Sequence, residues 1–344
     1  MHRSDVKCVV WDLDETLWRG TLLAGGANEL SPVAEQVVRE LDSRGILQSI
    51  ASKNDYGAAW PRLESFGVAD FFLHPQIGWD SKAKSISAIA DLLCIGLDTF
   101  AFIDDQAAER AEIQFMIPEV RVIDANALPN LLSWPEFSPQ FVTADSRNRR
   151  SMYRADEARK AAGESFDGAR DRFLASLDMR LVVRRATAAD LERAHELTVR
   201  TNQLNTGGRT YSMAELAACL TSPDHLVLVA ELEDRFGSSG TIGLSLIERD
   251  GTMWTIRLFL MSCRVLSRGI GSVLLGHILR LAQARQVRLR ALFVATDRNR
   301  PMLVAYKFAG FRKSGEDEAG ALILEHDYVR MPPVPDYMTI SGEI

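Results

Sequence analysis

The chain has 344 residues, 47% of them hydrophobic and 25% charged, with a net charge of −6. The length suggests two domains, and the balance is ordinary for a globular protein. The acidic total gives no broad basic surface for nucleic acid, and no run of about 18 apolar residues suggests a membrane span. Met1-His2-Arg3-Ser4-Asp5 leads directly into an apolar run without the hydrophobic region of a signal peptide. Cys8, Cys94, Cys219 and Cys263 form no C-x-x-C pair and no zinc spacing, so a reducing, cytoplasmic setting is expected.

The first element is the apolar run Val9-Val10-Trp11, read as a buried strand, which ends in Asp12 and Asp14. On a strand, carboxylates at i and i+2 share a face. If the chain leaves the strand at Asp14, both converge at its carboxyl edge, where ligand sites of open α/β sheets lie. One carboxylate can form an acyl-phosphate and its neighbour can pass a proton to the leaving group. For an isolated D-x-D the competing reading is a turn cap. Ser31-Pro32 then reads as the N-cap and first residue of a helix carrying Val33, Val37 and Leu41, closed by Gly45. Ile46–Ala51 is a second strand, followed at once by Ser52-Lys53-Asn54-Asp55, whose hydroxyl and backbone N–H groups can hold a phosphate.

A helix over Tyr56–Phe66 stops at Gly67. Lys82 precedes a helix with Ile86, Ile89, Ala90 and Leu93 on one face, and its ammonium can balance phosphoryl charge. Thr99–Ile103 is a third strand, ending in Asp104-Asp105, a pair suited to Mg²⁺. A helix over Ala107–Met116 and a strand over Val120–Ile123 complete an alternating pattern that implies a parallel sheet with helices on both faces. The short segments after Asp14 and Ser52 leave no room for a large cap domain.

Asp12-Leu13-Asp14-Glu15-Thr16, Ser52, Lys82 and Asp104-Asp105 resemble, in order and context, the motifs of the haloacid dehalogenase (HAD) superfamily of phosphatases and phosphotransferases. The resemblance implies Asp12 as nucleophile, Asp14 as general acid/base, Lys82 as the balancing cation and Ser52, with Lys53 and Asn54, as phosphate-binding. It implies Mg²⁺ held by Asp12, Asp14, Asp104 and Asp105, with Asp105 the direct ligand of the last pair and Asp104 its support.

After residue 126, Pro129, Pro135 and Pro139 punctuate a loop. A helix-forming stretch follows with Arg147, Arg149, Arg150, Arg154, Arg159 and Lys160, read as a solvated helix in an interdomain linker. The second half opens with a strand at Met179–Arg184 and a capping box at Thr187–Asp190. Strands are read over His225–Leu232, Thr241–Glu248, Met253–Met261 and Arg288–Ala295. The loop from Ser262 to Gly271 leads into a long helix, and Asn299-Arg300-Pro301 opens a shorter one before Gly310-Phe311. This order resembles the GNAT acyltransferase fold, which implies that the Gly269/Gly271 loop grips a pyrophosphate at the helix start, with Arg264 and Arg268 close by. Leu266 stands where that family usually has Arg or Gln, so the pantetheine groove is open to coenzyme A or to a carrier protein's phosphopantetheine arm.

The combination of both halves resembles the FkbH-like proteins of polyketide biosynthesis over nearly the whole chain. The resemblance rests on Trp11–Trp18, Ala51–Asp55, His74–Trp79, Phe102–Asp105, Thr201–Asn205 with Arg209–Tyr211, and Ser262–Leu266. Glu15 stands where that family often has Asn and Leu204 where it often has Phe, and the segment after Trp18 is shorter. The resemblance implies a glyceryl transferase/phosphatase that takes the glyceryl unit of 1,3-bisphosphoglycerate, removes its phosphate and loads it as a thioester on an acyl carrier protein. Methoxymalonyl-type extender units are the expected use. Asn202, Asn205 and Arg209 join the expected substrate-binding residues. Cys263 has two readings, acyl relay or packed strand-end residue; Cys8, Cys94 and Cys219 are read as core or remote. Two other functions remain open: a HAD phosphatase fused to an acetyl-CoA-dependent N-acetyltransferase, and a GNAT-like module that only docks a carrier. The expected fold is α/β: a HAD-like Rossmannoid parallel sheet without a large cap (1–126), a partly helical linker (127–178) and a GNAT-like α+β domain (179–344).

Overall fold

The computed structural model describes residues 5–24, 28–201 and 204–342. The chain divides into two compact units, Met1–Arg154 and Ala155–Ile344. Among the described residues, no helix is long and apolar enough to cross a membrane.

The first unit is built on five parallel strands in the spatial order Gln76–Ile77, Leu47–Ser52, Cys8–Trp11, Phe100–Asp104 and Arg121–Asp124. The first strand in sequence is therefore central. The next two extend the sheet to one side and the last two to the other. Such a reversal opens a crevice at the carboxyl ends of the central strands. Both faces are covered: Val9 and Trp11 belong to one apolar cluster and Cys8 and Val10 to the other. That is why the strand reads as an unbroken apolar run rather than an alternation. Helix Pro32–Ser43 starts as its sequence dictates, with Ser31 accepting from the Ala34 N–H and proline at the first position.

The second unit is a single sheet of eight strands. Their order is Arg312–Glu316, Leu322–His326, Arg288–Phe293, Met253–Met261, Gly237–Asp250, His225–Asp234, Met179–Arg185 and Met338–Ser341. Pairing is antiparallel except at Met253–Met261 with Arg288–Phe293 and at Met338–Ser341 with Met179–Arg185. The first parallel pair is connected through helix Ile270–Ala284, as parallel neighbours require a crossover.

The segment expected as a linker is divided between the units. Leu128, Leu131 and Phe137 are buried in the first unit's core. Arg150 reaches Asp42 at 2.8 Å and Arg154 donates to the Phe72 carbonyl at 3.0 Å. Arg159 belongs to the second unit and donates to both oxygens of Asp234, at 2.6 and 2.9 Å. Arg149 and Arg159 are buried, contrary to the solvated helix expected for this basic stretch. A guanidinium fork can be buried when carboxylates or carbonyls match its N–H directions, which charge counting does not reveal.

Gln48 is a buried polar residue in the first unit's sheet. Its Oε1 accepts from Trp11 Nε1 at 3.1 Å and its Nε2 donates to the Val38 carbonyl at 2.8 Å. Gln48→Leu should lower the stability of this unit by about 1–3 kcal/mol, because the indole N–H is left buried and unpaired. Adding Trp11→Phe should recover part of the loss. Chemical denaturation of both single variants and the double variant checks this, and strictly additive losses would refute the coupling.

Candidate active site

Asp12 lies one residue beyond the central strand, its N–H bonded to the Ile103 carbonyl at 2.9 Å. Asp104 ends the adjacent strand. The parallel pairing of these strands brings the two carboxylates to one edge. Lys82 is the first residue of helix Lys82–Leu93, which Ser81 caps. Its Nζ lies 2.9 Å from Asp12 Oδ1 and 2.5 Å from Asp104 Oδ2, and its side chain is 3% exposed. A helix start disfavours a cation, and so does burial. The two carboxylates outweigh both, and the Lys82 ammonium is held above its ordinary pKa. Burial pushes the Asp12 carboxyl up to about 6, Lys82 opposing the rise and Asp104 adding to it. Burial, then the charge of Asp104, also raises Asp105.

A second network lies on the Asp14 side. Asp14 Oδ1 accepts from Trp18 Nε1 at 2.8 Å and from the Leu22 N–H at 3.1 Å, while Oδ2 accepts from Asn54 Nδ2 at 3.2 Å. Asn54 Nδ2 also lies 3.1 Å from Ser52 Oγ, and Ser52 opposes the upward shift of the Asp12 carboxyl. Thr16 Oγ1 accepts from the Asp105 N–H at 3.1 Å, tying the first loop to the fourth.

Oxygens of Asp12, Asp104 and Asp105 lie within 4.8 Å of one another. Both Asp104 oxygens already have donors, Lys82 and the Gln106 N–H, whereas among the described residues Asp105 Oδ1 is buried without a partner. Three carboxylates against one ammonium leave an excess of negative charge around an orphaned oxygen. This all-oxygen set fits Mg²⁺, a hard cation that takes a few carboxylates and keeps water. Two expectations are corrected by the geometry. The Asp14 carboxylate is not among the oxygens that converge; Trp18 and Leu22 engage its Oδ1 and Asn54 donates to its Oδ2. Lys53 is not aimed as a free phosphate ligand: its ammonium is paired with Glu109 at 2.8 Å. Trp18 and Glu109 were not singled out as site residues, because their partners are distant or out of phase in sequence.

In the second unit, Cys263–Arg268 forms a tight 3₁₀ segment before helix Ile270–Ala284. Gly269 has φ 74°, a left-handed conformation that permits the sharp entry into the helix. At Gly271 a Cβ would stand 3.2 Å from Met261 Sδ, so this glycine serves close helix–strand packing. Arg264 donates to the Ser239 carbonyl at 3.1 Å. Arg268 is not a ligand-facing cation. It is 2% exposed and its guanidinium donates to Asp234 Oδ2 at 3.2 Å and to Ser239 Oγ at 3.3 Å. Burial, then the nearby Arg159 charge, lowers its pKa to about 10.

Asn205 is structural as well. It accepts from the Gly207 N–H at 2.9 Å and donates to the Arg209 carbonyl at 3.1 Å, shaping its own loop. Arg209 pairs with Glu215 at 2.8 Å and lies over the Tyr211 ring. Cys263 is half-buried against the unit's apolar core. Asn202 lies outside the described residues. Asn299, wholly buried, donates to the carbonyls of Asn205 and Val294 at 2.9 and 2.8 Å and joins two loops; only its place before a proline-led helix hinted at a role.

Residues 179–311 match the model of the Acetyltransferase (GNAT) family, so the second unit carries a GNAT domain. Among solved structures, the chain is similar to the N-terminal part of a Bacteroides fragilis protein containing a phosphatase domain complexed with Mg. Identity there is 27%, over 38% of this chain and 40% of that chain, with a TM-score of 0.34. It is also similar to the PaiA N-acetyltransferase of Thermoplasma acidophilum in complex with coenzyme A, at 19% identity over 43% of this chain and 99% of that one, with a TM-score of 0.35. A third similar structure is the GNAT domain of S. lividans PAT, at 22% identity over 42% of this chain and 88% of that one, TM-score 0.34. No curated protein matches the chain.

Lys82 generates a pH-dependent prediction. In metal-free protein, Lys82→Met leaves two buried carboxylates uncompensated and should cost about 3–5 kcal/mol near neutral pH. Without Lys82 the Asp12 carboxyl rises further above its unfolded value, so the native state binds the extra proton. Stability then falls as pH rises through that window and returns as pH falls. Thermal melts of wild type and variant at about pH 8 and about pH 5 should show the gap narrowing at the acid end; a constant gap would sink the assignment.

Proposed function

We propose that the first unit is a phosphatase of the HAD type and that the whole chain acts as a glyceryl transferase/phosphatase with an acyl carrier protein. The observation that carries the reading is the set Asp12, Lys82, Asp104 and Asp105 at one sheet edge, beside a hydrogen-bonded Asp14. The GNAT domain supports the acyl-transfer half of the reading.

The chemistry follows from the side chains. An Asp12 oxygen attacks phosphorus, the bond to the leaving oxygen breaks, and Asp14 gives that oxygen a proton. Water then attacks phosphorus, Asp14 takes the water's proton, and Asp12 is released as carboxylate. Lys82 holds the Asp12 carboxylate in place and offsets phosphoryl charge. Mg²⁺, held by Asp12, Asp104 and Asp105, would supply further positive charge against the phosphoryl oxygens. In the transfer half, a thiol attacks the acyl carbon of 1,3-bisphosphoglycerate and inorganic phosphate leaves from that carbon. The glyceryl thioester passes to the phosphopantetheine thiol of the carrier, and the remaining monoester is the first unit's substrate.

A second reading is favoured by the family match itself: a phosphatase joined to an acetyl-CoA-dependent N-acetyltransferase. Intact-protein mass spectrometry separates the two. With 1,3-bisphosphoglycerate, Mg²⁺ and a holo carrier protein, a glyceryl adduct on the carrier is expected. Acetyl transfer from acetyl-CoA to an amine without any glyceryl adduct would select the second reading.

Asp12→Asn should cut phosphate release by several orders of magnitude in folded protein, and a chelator should abolish it in the wild type. Asp105→Ala should weaken rate and metal dependence together. Near-normal turnover by Asp12→Asn, or full activity in metal-free buffer, would remove these roles. If Cys263 relays the glyceryl group, Cys263→Ala blocks carrier loading while phosphate release persists. Unchanged loading per folded molecule, judged beside a melting curve, would leave Cys263 a packing residue and make the transfer direct.

A further inference from the structure

Asn54 is 1% exposed, at the carboxyl end of the Leu47–Ser52 strand. A side-chain amide nitrogen has two hydrogens to give. Here one faces Asp14 Oδ2 at 3.2 Å and the other Ser52 Oγ at 3.1 Å, so both are spent on the protein itself. A carboxylate can only accept, which fixes the amide with its nitrogen toward Asp14. We propose that Asn54 is a positioning residue of the phosphoryl site, setting Asp14 Oδ2 as the proton-handling oxygen and leaving the Ser52 hydroxyl hydrogen free to donate. The proposal rests on the phosphatase reading above.

Two arguments carry it. First, Asp14 Oδ1 already receives Trp18 Nε1 and the Leu22 N–H, at 2.8 and 3.1 Å. With Asn54 on Oδ2, the carboxylate plane is held at three points, and any rotation about its last torsion breaks at least one bond. Oδ1 has both lone-pair directions engaged, whereas Oδ2 retains one, so the proton passed during the reaction resides on Oδ2. In the first step that proton goes to the leaving oxygen as its bond to phosphorus breaks; in the second, the attacking water returns one to Oδ2. Second, a Ser52 oxygen that accepts from Asn54 has its own hydrogen left to donate, and Ser52 opposes the upward shift of the Asp12 carboxyl. One amide thus orders the acid/base and the hydroxyl beside the nucleophile. Among the described residues Asn54 Oδ1 is buried without a partner, a cost that brings the fold no bond in return.

A role through Asp14 has a signature that a merely structural role lacks: it depends on how much the leaving group needs a proton. Phosphate release is measured for the full chain with Mg²⁺ on phenyl phosphate and p-nitrophenyl phosphate. These are close in shape, but the second leaving group departs without protonation. Asn54→Ala should lower kcat/KM for phenyl phosphate at least about tenfold more than for p-nitrophenyl phosphate. In an Asp14→Asn background the same change should add no further discrimination. Rates are taken per folded molecule from melting curves, and Asn54→Ser, too short to reach Asp14, serves as the variant if Asn54→Ala does not fold. Equal losses on both esters, with an active wild type, overturn the proposal and leave the phosphatase reading standing. A wild type that releases phosphate from neither ester removes both.

Discussion

One ammonium between two carboxylates organises the first unit. The central strand and its neighbour run parallel in register, so Asp12 and Asp104 reach the same edge side by side. Burial, and then the charge of Asp104 beside it, act against the ionised form of Asp12. Lys82 resolves this by occupying the space between them, at a helix start that would otherwise reject a cation. The compensation is incomplete once Asp105 is added, and the remaining negative charge is of the kind a divalent cation would offset. Apolar clusters pack on both faces of the strands that carry this geometry.

The polar groups of the second unit are arranged differently. Arg159 and Arg268 converge on Asp234, whose side chain is wholly buried, and Asp156 contributes a further carboxylate. Their charge is consumed in the interior. A buried ion network of this kind is strongly destabilising to break, though it is weak evidence for net stability. In the segment before helix Ile270–Ala284 the Arg268 guanidinium is thus turned to the interior rather than to a ligand.

Much of this was legible in sequence. Apolar runs ending in carboxylates, a Ser-Pro helix start and a glycine stop are local signals, and local signals report element type and strand ends. They placed Asp12, Ser52, Lys82 and Asp104 at strand or helix termini. The GNAT-like order of the second half was likewise readable, since it is an order of elements rather than a set of contacts.

What the sequence alone determined is which residues stand where elements begin and end. Tertiary structure decided what their side chains meet. The family resemblance implies Asp14 as a metal ligand, but Trp18 and Leu22 engage its Oδ1 and Asn54 donates to its Oδ2. Lys53 looks like a phosphate ligand until Glu109, 56 positions away, pairs with it. Arg159 looks like a surface cation and Arg268 like a ligand-binding one until Asp234 draws them inward. The physical reason is range. Periodicity and capping depend on neighbours within a turn or two of the chain. Hydrogen bonds and ion pairs depend on distances of a few ångströms between groups that only folding brings together.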